Sequence, residues 1–371
     1  IPPGAKVVDA TGKTIIPGLV DAHAHGPYGV SELVPQQNWS LMVNLALGTT
    51  TIHDPSSRAA EVFEASQLQQ AGRIVGPHIF STAEIVYGAR QAGVYAQIDS
   101  LDDALAHIRR IKSQGGYSIK NYNQPRRDQR QQVTEAARRE GMQVVAEGAS
   151  LFGQDMTLIA DGQSTLEHNI PQLRLYEDVL SFMSQSGTNY TPTLVVSYSG
   201  LSGDPYWRSH TDVFEQPVLK ANIPPAKLAA DNVRRPIAPE SDYVDDDNAR
   251  EAHKLAKRGV LVAIGAHGQQ AGIGPHWELW SFVRGGMTPV EALAAGTINS
   301  AKSLGMEADI GSLEAGKLAD LVVLDADPTT NIRNSEKVYR VMVGGRLYDP
   351  MTMNEVVTAD RKRAPYFWEE K

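Results

Sequence analysis

The 371-residue sequence contains no cysteine, which excludes disulfides, thiolate metal sites and a thiol nucleophile. Any bound metal must therefore be held by His, Asp, Glu or Lys. No apolar run approaches the roughly 20 residues a membrane-spanning helix needs. Lys and Arg form no block, and at a net charge of −8 the chain carries no nucleic-acid footprint. Apolar residues make up 42% and charged residues 21%, the balance of a globular chain long enough to bury a large core. The first residues are Ile1-Pro2-Pro3 rather than Met, so the chain reads as a piece of a longer polypeptide. The missing cysteine and initiator methionine lean toward an exported, periplasmic location, with the cytoplasm as the alternative.

Strand-like and helix-like segments alternate from residue 19 to about residue 285. The strand candidates are 19–25, 50–54, 78–86, 118–122, 143–147, 164–169, 189–196 and 260–267, short apolar or β-branched runs. Helical patterns fill most intervals. Segment 102–114 puts Ala104, Ile108 and Ile111 on one face, while 130–140 and 177–185 close at Gly141 and Gly187, as helix C-termini do. Eight strands with intervening helices predict an α/β fold, a (β/α)8 TIM barrel over residues 18–308. Residues 199–246, rich in Pro and Asp with Tyr206-Trp207 among them, read as an insertion after the seventh strand. It is expected to overhang the C-terminal mouth, where such barrels keep their active sites. At the two ends, 6–9 and 14–16 flank a turn, and 320–324 and 338–343 lead into Gly344-Gly345-Arg346. Residues 1–17 and 309–371 are thus expected to form a small β-sandwich that lacks some N-terminal strands.

The run Leu19-Val20-Asp21-Ala22-His23-Ala24-His25-Gly26 closes the first strand. Side chains alternate along a strand, so His23 and His25 face one side with Cα atoms about 6.5–7 Å apart. Two imidazoles so placed can share a divalent ion; alone, the pair also reads as a strand cap beside a buried polar group. Four other strands end in a potential ligand: Lys120 on the fourth, Glu147 on the fifth, His168 on the sixth and His267 on the eighth. Lys120 reads either as a surface group, since lysine is rarely buried unpaired, or as a carbamate able to bridge two cations. Glu147 closes an apolar run, where burial is costly unless it is paired or coordinates a cation.

The run from Pro17-Gly18-Leu19 to His25, with Lys120 and His168, resembles the amidohydrolase superfamily. The tail from Gly311-Ser312-Leu313 to Leu318-Ala319-Asp320 is similar to the segment that leads such chains back to their β domain. The likeness spans residues 7 to about 348. His53-Asp54-Pro55-Ser56 and Gly265-Ala266-His267-Gly268 with His276-Trp277-Glu278 resemble an imidazolonepropionase-like and prolidase-like branch. Members of that branch often follow an N-terminal β-propeller. The resemblance implies a metal-bearing barrel that hydrolyses an amide or related C–N bond of a small molecule, dipeptide-like or cyclic. It implies one or two divalent ions, zinc first, with manganese or iron as alternatives, and it admits an upstream domain and a homo-oligomer. A lactonase or esterase on the same site, and a metal-deficient binding module, stand as alternatives.

Two positions depart from the family pattern: Glu147 replaces a histidine, and His267 replaces an aspartate general base. In the two-ion form, His23, His25 and carbamylated Lys120 hold one cation, and Lys120, Glu147 and His168 hold a second about 3.5–4 Å away. His267 is then the base, or else a ligand that leaves the proton to Glu147. Tyr87, Tyr122, Arg126 and Tyr198 follow barrel strands and are candidates for substrate binding, Arg126 as a carboxylate clamp. His53 and Asp54 read as a pair orienting a ligand or as strand caps. His276, Trp277 and Glu278 read as packing, and His78, His107, His210 and His253 as structural or surface groups.

Overall fold

The computed structural model describes residues 4–31, 33–88, 96–122, 124, 126–148, 150–232 and 237–369. Its strands are β1 (Thr14–Pro17), β2 (Leu19–Asp21), β3 (Thr49–Asp54), β4 (His78–Ser81), β5 (Ser118–Asn121), β6 (Gln143–Glu147), β7 (Thr165–Glu167), β8 (Asn189–Thr191), β9 (Leu321–Leu324), β10 (Val338–Val343) and β11 (Arg346–Tyr348). The principal helices are α1 (Trp39–Ala46), α2 (Ala59–Gln70), α3 (Leu101–Ser113), α4 (Arg127–Glu140), α5 (Phe152–Ala160), α6 (Glu177–Ser186), α7 (Gly203–His210), α8 (Pro217–Asn222), α9 (Pro225–Asn232), α10 (Asp245–Lys257) and α11 (Gly274–Arg284).

Local chemistry explains several of these boundaries. The Ser100 hydroxyl caps α3 by accepting from Asp103 N, with acids in the first turn and Arg110 and Lys112 in the last, a charge order that complements the helix dipole. Its buried face is Ala104, Leu105, Ile108 and Ile111. As expected, α4 and α6 stop at Gly141 and Gly187, at φ +69° and +76°, where a Cβ would be strained.

Strands β2–β3–β4 form one parallel sheet and β5–β6–β7–β8 another. Backbone hydrogen bonds join them at both edges. Val86 N donates to Lys120 O (2.8 Å) and Tyr122 N to Val86 O (3.0 Å), which links the chain after β4 to β5. On the far side Ala263 N donates to Tyr190 O (2.9 Å), Ala22 N to Ile264 O (3.1 Å) and His267 N to His23 O (2.7 Å). The ring of parallel segments therefore closes, an α/β arrangement consistent with the expected barrel.

Three expectations change. Residues 260–267 hold their place in the ring but form only an isolated bridge, Tyr190 to Val262, because the chain turns left-handed at His267 and Gly268. The hairpin at 6–9 does not form; Val7 is 70% exposed, so pairing it would bury little. Instead β1 pairs with β9, and β9–β10–β11 complete one antiparallel sheet with a left-handed Gly344-Gly345 turn. Among the described residues this is a single four-stranded sheet, not two facing ones. The insertion folds into α7, α8 and α9, and Arg208 of α7 donates to Gln269 O (3.1 Å) and Gln270 Oε1 (2.9 Å). It thereby braces the loop that follows His267. No helix among the described residues is long and apolar enough to cross a membrane.

Gly265 sits at a close-packed point of the ring. A Cβ there would lie 2.7 Å from Thr191 Cγ2 and 2.8 Å from His23 Cβ. Gly265→Ala is expected to cost about 1–3 kcal/mol of stability, measured by denaturant unfolding; an unchanged midpoint would show that the ring has slack.

Candidate metal centre

The strand ends bring four imidazoles together. His23 and His25 leave β2 on one side, as the HxH spacing predicts, with ring centroids 5.1 Å apart. His168 follows β7 and His267 follows the eighth segment; each ring is 5.0 Å from His23 and from the other. One nitrogen from each of His23, His168 and His267 lies within 4.8 Å of the other two. A small inward adjustment of three such groups makes a three-imidazole cation site.

Backbone conformation puts two of these rings in place. Alternation would send Glu167 and His168 to opposite faces, yet both face the centre because His168 adopts φ +67°. His267 adopts φ +59°, and Thr193, a β-branched residue, φ +45°. Left-handed backbone at non-glycine residues is costly and concentrates at functional sites.

The other ring nitrogens are held from behind. His23 Nδ1 is 2.7 Å from Glu167 Oε2, His25 Nδ1 is 3.0 Å from Asp54 Oδ1, and His168 Nδ1 is 2.6 Å from Thr193 Oγ1. Partners of this kind fix the ring orientation and free the remaining lone pair for a cation. Asp21 Oδ1 accepts from His23 N (3.2 Å) and Ala266 N (3.0 Å), tying the first strand to the eighth segment. His267 Nδ1 is buried and has no hydrogen-bond partner among the described residues, while His168 Nε2 faces the Glu147 carboxylate. Unpaired buried nitrogens are costly unless they meet a ligand, so the residues present fit a divalent ion. Burial, with His25 and His168 beside it, pushes His267 down to about 3. Burial, Lys120 and His168 lower His23 as well. Both rings are therefore neutral near pH 7, as coordination requires.

Lys120 is 1% exposed, which excludes the surface reading. Its Nζ lies 2.5 Å from Glu147 Oε2, and Glu147 Oε1 lies 3.2 Å from His168 Nε2. Lys120 acts on the carboxylate chiefly through its charge, and His168 chiefly through its hydrogen bond. Burial works to raise the Glu147 carboxyl, but Lys120 and His168 outweigh it and hold the group below the usual carboxylate range. Burial raises Glu167 to about 7.

The remaining candidates divide. The Tyr198 ring lies 5.3 Å from that of His168, tilted by 42°, and its hydroxyl is raised by burial and by Glu147 nearby. Tyr87 and Tyr122 lie 5.8 Å apart, with Tyr122 facing Tyr198. Arg126 also reads as a solvated arginine, and its side chain is 56% exposed and bound to Asp128 in the first turn of α4. The pairing of His53 with Asp54 is corrected in part. Asp54 does hold His25, but His53 bonds Ala22 O (3.0 Å) and Ser118 Oγ (2.7 Å) and serves as a cross-link inside the ring. His276 bonds Ser335 Oγ and Leu47 O, as a packing role predicts. Sequence reasoning missed Glu167 and Thr193. An acid beside a strand-end histidine was a signal for Glu167; nothing in the sequence marked Thr193.

Residues 14–348 match the amidohydrolase family. The chain belongs to that family. It is a hydrolase acting on carbon–nitrogen bonds of small molecules, and the family generally uses divalent metal ions. An imidazolonepropionase of Symbiobacterium thermophilum is 26% identical over 354 residues, covering 87% of this chain and 77% of that protein. Among solved structures, phenylurea hydrolase B superposes with a TM-score of 0.72 at 21% identity, over 97% of this chain and 91% of its own. A Xaa-Pro dipeptidase with bound methionine in the active site superposes with a TM-score of 0.68 at 20% identity, over 91% of this chain and 87% of its own. At these identities the two structural likenesses establish the fold.

Proposed function

We propose that this amidohydrolase holds one divalent ion on His23, His168 and His267, with His25 alongside, and cleaves the amide bond of a dipeptide-like or cyclic substrate. The observation that carries the reading is the convergence of three imidazole nitrogens within 4.8 Å, with a buried nitrogen of His267 that has no hydrogen-bond partner among the described residues. Zinc suits an imidazole set best, with manganese or iron as alternatives. A divalent ion there supplies Lewis acidity for a carbonyl oxygen and makes a water molecule acidic near neutral pH.

The protein's own groups do the rest. Glu147 is ionised and its Oε1 sits on the His168 side, so it accepts the proton of the attacking water at Oε1 and returns it to the leaving nitrogen. Lys120 Nζ holds Oε2 and keeps the carboxylate oriented. Tyr198, with Tyr122 and Tyr87 behind it, positions the substrate. In this reading Lys120 stays an amine beside Glu147; a carbamate there would set two anions side by side and call for a second ion. Residues 18–308 form the catalytic barrel in this reading, and residues 1–17 with 309–371 an accessory β domain. The substrate class draws on the names of the relatives, a Xaa-Pro dipeptidase and an imidazolonepropionase.

Elemental analysis of the purified protein tests the reading, together with assays on Xaa-Pro dipeptides, N-acyl amino acids, cyclic amides and lactones. One ion per chain is expected, with activity lost to a chelator and restored by zinc or manganese. Absence of both metal and restored activity would overturn it. An intact mass carrying one added carbon dioxide and two ions per chain would replace it with the carbamate-bridged centre.

A further inference from the structure

Glu278, in α11, is fully buried, and the proposed mechanism does not use it. Its Oε1 accepts from Val195 N at 2.7 Å; the N–H groups of Leu194 and Gly265 lie near enough to favour its charged form, while Oε2 makes no hydrogen bond among the described residues. Those N–H groups belong to two particular places. Leu194 and Val195 directly follow Thr193, the residue at φ +45° whose hydroxyl lies 2.6 Å from His168 Nδ1. Gly265 stands two residues before His267, itself at φ +59°. One carboxyl group is thus bonded to the turn that holds His168, and the segment that carries His267 packs on that same turn, a Cβ at Gly265 falling 2.8 Å from Thr193 Cγ2. Burial pushes Glu278 up to about 8 against the pull of the N–H groups, and the like charge of Asp21 adds to the rise. A buried acid is an expensive way to fill space. Strained backbone persists only where its surroundings over-determine it, and the converging N–H groups supply that constraint here.

We propose that Glu278 is a positioning residue that clamps the turn after Thr193 against the eighth segment, so that His168 and His267 aim at one point. The proposal rests on reading these imidazoles as the metal site. Its effect runs through Thr193, so disrupting either end of the path should disturb the same rings.

The test is run at pH 9, where the wild-type Glu278 is ionised, and uses Glu278→Gln, which replaces one acceptor oxygen with a donor, and Thr193→Val, which replaces the hydroxyl with a methyl group. Thr193→Ser is the conservative control. Two readouts are needed: zinc affinity by chelator competition, and histidine side-chain nitrogen–proton NMR of the metal-free protein. The expected result is a tenfold or greater loss of zinc affinity in E278Q and in T193V, with no further loss in the double variant because both act on one path. T193S should bind like wild type. In the metal-free spectra the His168 and His267 signals should move in E278Q while those of His107 and His253 stay put. Unchanged His168 and His267 signals would overturn the proposal whether or not the wild type binds zinc. Wild-type protein that binds no zinc, but whose His168 and His267 signals move in E278Q, would sink the metal reading alone. Multiplying effects in the double variant would also overturn the single path.

Discussion

Glu147→Gln is expected to lower kcat by about 10²–10⁴-fold while metal content stays at the wild-type level. The amide keeps the shape and the contact region of the carboxylate but cannot take a proton. Glu147 is ionised because the adjacent Lys120 ammonium and His168 outweigh the burial that would otherwise neutralise it. Elemental analysis alongside steady-state kinetics separates the roles. Metal lost in step with activity would make Glu147 a ligand, and undiminished kcat would remove it from the reaction. The Lys120 partner gives the effect a second handle. With Lys120 changed to methionine, burial would act on Glu147 unopposed by an ammonium, its pKa would rise, and the acid limb of the kcat profile should move to higher pH.

His267→Ala is expected to weaken metal affinity by more than the roughly 10–100-fold typical of residues that only orient a ligand. Activity should fall with occupancy and recover in part at high metal concentration. The imidazole has a buried Nδ1 with no hydrogen-bond partner among the described residues and is pushed down to about 3. It is therefore neutral at working pH, which suits a ligand, and it is a weak base there. Chelator competition measures the affinity directly. Full metal occupancy with kcat abolished would instead assign the proton transfer to His267 and leave Glu147 as part of the cation site.

Much of the architecture was readable from residue type and spacing. Strands at 49–54, 118–121 and 143–147 fall where short apolar runs with β-branched residues placed them. Gly141 and Gly187 end their helices because each takes a left-handed φ that other residues resist. The termini were read less well. Pairing of β1 with β9 joins segments some 300 residues apart, and no local pattern distinguishes that partner from the neighbouring run at 6–9. Arg126 shows the same limit at short range. As a strand-end arginine it reads either as a carboxylate clamp or as a solvated group, and only the start of α4 places Asp128 against it.

What the sequence determined by itself was the family, the ring of parallel segments and the strand ends that carry His23, His25, Lys120, Glu147, His168 and His267. The family follows from the resemblance of those motifs, and the strand ends from residue identity and spacing. Only the tertiary structure decided which of these groups meet. Glu167 and His168 are neighbours that alternation separates, and a left-handed turn at His168 reunites them. His267 and Thr193 turn the same way. Left-handed backbone at histidine or threonine has no mark in the sequence, because it is imposed by distant partners that hold the chain there. Thr193 and Glu167 reach the histidines from other strands, and Glu278 from a helix more than 80 residues past Thr193.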